Sequence, residues 1–169
     1  MAINIGSNNS YPGNKLSNFP PAPFQIDGVQ CASTEGFIQA LKFPDPEMQR
    51  HVCSLVGREA KFKGKKANKR VQHMGKVWWQ GREIEFRSQE HMDLIERGLR
   101  AKFTQCDSAR RALLATREAT LTHHTGYKES PHTSLPARDF IRMLYKIRKE
   151  LQQQEASSSN HGSSRRSKK

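Results

Sequence analysis

The 169 residues contain no apolar run long enough to cross a membrane, which takes about 18 consecutive residues. Cysteine is scarce: Cys31, Cys53 and Cys106 are odd in number and lack C-x-x-C spacing, so neither a disulfide framework nor a cysteine zinc site is expected. The opening MAINIGSNNS has no basic-then-apolar layout of a secretory signal. Together these absences point to a reduced, cytoplasmic protein. Phosphate-loop, dinucleotide, zinc-protease and nucleophile-elbow motifs are all missing. Seven histidines are present, but the adjacent His123 and His124 would point to opposite faces of a strand, so no metal site is read from them. Apolar residues make up only 34%, so any core must be economical. A chain of this length still suits one domain, burying roughly 70% of its unfolded surface.

What the chain has in excess is positive charge, a formal net of +13. Two segments hold most of it. Arg58 to Arg70 carries seven cations and one anion, a net of +6, and the segment from Gln153 onward carries a net of +3. The second is Ser-rich with almost nothing to bury and reads as a disordered tail, residues 153–169. The first is either a solvated loop or helix face, or a surface that meets a polyanion. It lacks the interleaved aromatics of a single-strand reader.

Local signals then place the elements. Asp27-Gly28 turns a hairpin over Phe24 to Cys31, and Gln80-Gly81 turns a second over Val77 to Phe86. Ser33-Thr34 caps a helix from Glu35 to Lys42, and Asp45-Pro46 opens another that stops near Gly57. Ser88 caps a longer helix with Met92, Ile95, Leu99 and Phe103 on one stripe. A short helix from Ser108 to Thr116, a strand from Ala119 to His124 and a loop from Thr125 to Ser134 follow. The last helix sets Phe140, Leu144, Ile147 and Leu151 on one face. Short strands among more numerous helices give an α+β, mainly helical fold over residues 1–152.

The available chemistry is carboxylate chemistry. Glu35 falls in a first helical turn, beside free backbone N–H groups and the positive end of the dipole, which lowers its pKa. The same residue type is also simply a good helix-start residue. Glu129 lies in the polar loop GYKESPHT, a place that suits either function or plain solvation. In the tandem Trp78-Trp79, one ring should pack inward and the other be free to stack on a ligand, unless both serve the core.

Read in order, these segments resemble the NADAR superfamily, whose YbiA-like members act as N-glycosidases. The likeness rests on LSNFPPAPFQIDGVQCASTEGFIQALKF (Leu16 to Phe43), Gly57-Arg58, LRAKFTQ, ALLAT, ATLTHHTG and LPARDFIRMLYKIRKEL. It covers the chain to about residue 152. The resemblance implies a single NADAR domain and a catalytic carboxylate at Glu35. Asn18 and Phe19 of the Ser-Asn-Phe element would line the substrate pocket, and Arg58, with Lys128, would pair with a ribosyl phosphate. Three motifs depart from the family pattern: Gly36 replaces a histidine, Arg87-Ser88 stands where a tryptophan precedes LRAKF, and HHTGYKES replaces an acidic-Trp-Gly element. Trp78 or Trp79 would supply the lost ring and Glu129 the lost acid. The implied activity is metal-independent and cofactor-free hydrolysis of an N-glycosidic bond. Its substrate would be a ribosylamino-pyrimidine phosphate of riboflavin-pathway type, or an ADP-ribosyl nucleobase on DNA or RNA. A non-catalytic ADP-ribose or nucleic-acid binding module is the alternative.

Overall fold

A computed structural model describes the backbone of residues 1–166 and the side chains of residues 1–159. In chain order the elements are β1 (Ala2–Asn4), α1 (Gly13–Leu16), β2 (Phe24–Ile26), β3 (Val29–Cys31), α2 (Thr34–Ala40), α3 (Pro46–Cys53) and α4 (Gly57–Lys65). Then come α5 (Asn68–Met74), β4 (Lys76–Trp79), β5 (Arg82–Glu85), α6 (Gln89–Gln105), α7 (Asp107–Ala115), β6 (Thr120–Thr122) and α8 (Ala137–Arg166). This is an α+β fold dominated by helices.

The caps sit where side-chain chemistry puts them. Ser33 Oγ accepts from the Gly36 N–H at 3.0 Å and Ser88 Oγ from the His91 N–H at 3.2 Å. Asp45 accepts from Glu47 N–H while Pro46 takes the first helical position, where no N–H is needed. Both hairpins turn through two successive residues with positive φ, Asp27-Gly28 and Gln80-Gly81, as a tight antiparallel turn requires.

The core forms around α6, whose Ile95, Leu99 and Phe103 are fully buried. Phe37 of α2 and Phe140, Leu144 and Ile147 of α8 close over them. The third two-stranded unit is unlike the other two. β1 and β6 pair in parallel, Ile3 opposite Leu121, joining chain segments 118 residues apart.

Both basic segments carry helix. Of the forms left open for Arg58 to Arg70, the helix is the one observed, as most of α4 and the start of α5. Over the segment read as a disordered tail, the backbone of α8 is described as far as Arg166. Packing nevertheless ends at Gln152, whose side chain donates to the Arg117 carbonyl; residues 153–159 are exposed. A helix already anchored by packing extends cheaply through Gln-Gln-Glu-Ala, because propagation lacks the cost of nucleation. Residues 167–169 lie outside the described residues. Among the described residues no helix is long and apolar enough to cross a membrane.

Candidate active site

Glu35 occupies the first turn of α2, and the Ser-Asn-Phe segment is tied directly to it. The Glu35 N–H donates to the Asn18 carbonyl at 3.0 Å, and Thr34 Oγ1 donates to Asn18 Oδ1 at 2.8 Å. The Phe19 carbonyl accepts from Gly57 N–H at 3.0 Å, which brings the first turn of α4, with Arg58, to the same place. From the core side, Lys102 Nζ donates to the Ser17 carbonyl at 2.9 Å. Three sequence-read residues, Asn18, Phe19 and Glu35, therefore come together on one segment, and the start of α4, with an exposed Arg58, adjoins it through the backbone.

The Glu35 carboxyl is buried, with the residue only 9% exposed. Its pKa is raised by that burial, against the opposing pull of the Gln39 hydrogen bond and of the Lys42 and Lys61 charges. The helix-start argument pointed the other way; removal from water outweighs the Gln39 hydrogen bond and the neighbouring cations. Gln39 Nε2 donates to Glu35 Oε1 at 2.8 Å. Gln39 is seated against Gly64 of α4, where a Cβ would lie 1.8 Å from Gln39 Oε1, so glycine is required for α4 to come this close.

One turn further along, Lys42 is 5% exposed, donates to Asn68 Oδ1 at 2.7 Å, and is pushed down to about 8 by burial. Lys61 Nζ stands 5.8 Å from the centre of the Phe19 ring. Asn68 also borders a cleft of about 120 Å³ between α5 and the loop at Pro131 and His132. Gln39, Lys42 and Lys61 were missed from sequence. The available signal was the polar series Glu35, Gln39, Lys42, spaced i, i+4, i+7 on one helical face within an apolar segment.

Other expectations are corrected. Both tryptophans are buried, Trp78 at 4% and Trp79 at 7%, so neither ring is free to stack on a ligand. Trp79 packs edge-on to Phe37 at 5.3 Å and donates Nε1–H to Asp27 at 2.8 Å, while Trp78 lies on the other face of the strand beside Arg70. Strand β4 is buried on both faces at Val77, Trp78 and Trp79, which alternation along one strand could not reveal. Glu129 and Lys128 are exposed. Glu129 Oε1 accepts from Ala137 N–H at 2.7 Å, satisfying a free donor at the start of α8, and it has no bond to Glu35. Gly36, where the family has histidine, has a packing reason. An added Cβ would sit 2.5 Å from the Leu55 carbonyl oxygen, 2.8 Å from that of Val52 and 3.1 Å from that of Cys53. No group of three or more His, Cys, Asp or Glu among the described residues is arranged to hold a metal.

Comparison with known proteins bears on the family and the fold. The family model described as bacteriophage protein GP30.3 matches residues 10–149. A 17.1 kDa protein of the Gp30-rIII intergenic region of Enterobacteria phage T4 is 31% identical over 151 residues, covering 88% of this chain and 98% of that protein. The solution structure of the Escherichia coli protein YbiA superposes with a TM-score of 0.65 at 21% identity, over 92% of this chain and 88% of that one. The fold implied by the NADAR resemblance is thus the fold observed. The chain belongs to the bacteriophage GP30.3 family, built on the fold of YbiA.

Proposed function

We propose that this protein is an N-glycosidase that hydrolyses the bond between a ribosyl carbon and a nitrogen in a ribosyl-phosphate or ADP-ribosyl compound. The observation that carries the reading is the Glu35 carboxyl, buried, raised in pKa, bonded by Gln39 and acted on by the charges of Lys42 and Lys61, on a helix turn whose backbone is tied to Asn18. A carboxylate whose pKa is raised is the stronger proton acceptor when ionised, which suits proton transfer, typically worth about 10²- to 10⁴-fold in rate.

In the reaction the C1′–N bond breaks as positive charge grows on the ribosyl ring. The leaving nitrogen keeps the bonding electrons. The ionised Glu35 carboxylate stabilises the developing cation and accepts a proton from the attacking water, whose oxygen bonds to C1′. That proton passes to the leaving nitrogen, so the carboxylate is regenerated. Phe19 supplies an apolar wall, Asn18 a polar edge, and Arg58 with Lys61 the cations for a phosphate or diphosphate.

The test uses two substrates, a ribosylamino-pyrimidine phosphate and DNA carrying ADP-ribose on guanosine, with chromatography of the products. Release of free base or ADP-ribose by the wild type, lost in Glu35→Gln, is the expected outcome. Tight binding of either compound without release replaces this reading with a binding module.

A further inference from the structure

Some cations elsewhere on the molecule are paired, among them Arg82 with Glu90, Arg97 with Asp27, and Arg100 with Glu96 and Glu150. What sets the α4–α5 segment apart is how closely its unpaired cations follow one another. Arg58, Lys61, Lys63, Lys65, Lys66 and Lys69 form no ion pair among the described residues. Arg70 is not part of this reserve, because it donates to the Lys42 carbonyl at 2.9 Å and lies over Phe43 and Trp78.

Packing explains why the charges face one way. Ala60 and Gly64 of α4, with Ala67 and Val71 beyond, are buried. The opposite face repeats Arg58, Lys61, Phe62, Lys65 at i, i+3, i+4, i+7, all exposed. Phe62 is left 63% exposed, with Lys66 Nζ 4.8 Å above its ring. The stripe also adjoins the Glu35 site through Lys61, whose Nζ stands over the Phe19 ring.

We propose that the outer face of α4 and the start of α5 is a docking surface for the phosphodiester backbone of a nucleic acid. Phosphates are the complement of closely spaced, unpaired lysines, which act as point charges without bidentate readout. Phe62 adds one flat ring of the kind a base stacks on. A protein partner would need a desolvated apolar centre, and an interfacial membrane helix an apolar face; a single phenylalanine provides neither. This docking role stands independently of the glycosidase reading. If both hold, the backbone is gripped beside the carboxylate.

The experiment is anisotropy of a labelled DNA 20-mer, single-stranded and duplex, against the full chain over a range of salt. The variant K65E/K66E/K69E is compared with K15E/R138E/K149E, which changes net charge equally at scattered exposed positions. All forms keep residues 153–169, and thermal melts verify folding. The α4–α5 variant should lose about tenfold or more in affinity, with the slope of log K against log salt reduced by about 2 to 3, while the scattered variant loses far less. Equal losses in both variants, absence of wild-type binding, or equally tight Lys65-dependent binding to phosphatidylserine vesicles or polyglutamate would overturn it.

Discussion

The backbone N–H of Glu35 donates to the carbonyl of Asn18 across 3.0 Å, so the first turn of α2 and the Ser-Asn-Phe segment form one unit. An N-terminal helical N–H needs an outside acceptor, and here that acceptor is the Asn18 carbonyl of the Ser-Asn-Phe segment. Whatever moves Asn18 moves Glu35 with it, and Lys102, through Ser17, holds that segment from the core side.

Lys102 gives the first prediction. It is fully buried and its pKa is pushed down to about 7 by burial, while Lys42 is pushed down to about 8. In the unfolded chain both return to about 10.5. The unfolded state therefore holds more protons above pH 7, and stability rises with pH between about 7 and 10. Below that window the folded state carries the full cost of burying both charges. Each group contributes a slope of about 1.4 kcal/mol per pH unit where only the unfolded form is protonated. Denaturant titrations at intervals across the window should show the rise, and Lys102→Met should remove the part that begins near pH 7.

Gly36 gives the second. A methyl group there meets three backbone carbonyl oxygens at the end of α3, none of which can turn aside as a side chain could. Gly36→Ala should cost about 1–3 kcal/mol by overpacking, read as a lower denaturation midpoint. A histidine at this position, as the family pattern has it, should cost more.

Glu129 gives the third. Its carboxylate serves the backbone at Ala137. Glu129→Ala should lower stability by about 0.5–2 kcal/mol, the usual range for losing a helix-end partner, while leaving turnover within about twofold of wild type. A large loss of turnover with an unchanged melting temperature would restore the catalytic role expected of it from sequence.

What was legible in the sequence was local. Ser33, Asp45 and Ser88 cap through their own side chains, and Asp27-Gly28 turns through its own dihedrals, so neighbours suffice to find them. The β1–β6 pair was invisible because Ile3 and Leu121 meet only through the finished fold. At the site, the order of motifs led to Glu35, Asn18, Phe19 and Arg58. Trp78, Trp79 and Glu129 misled because exposure and bonding partners are tertiary properties. Strand alternation put one tryptophan in solvent, whereas Phe37 of α2 packs on Trp79 and Arg70 lies over Trp78. Lys42 and Lys61 were hidden for the same reason, one looking like a helix end and the other like one lysine among many.

The most direct test of the central claim is single-turnover product release by wild type and Glu35→Gln, under identical conditions and with matched circular dichroism. The glutamine keeps the shape and can still meet Gln39, but it cannot take up a proton or balance a growing positive charge. The account predicts release of base or ADP-ribose by the wild type and a fall of about 10²-fold or more in the variant. A Glu35→Gln protein that releases product at the wild-type rate would contradict it.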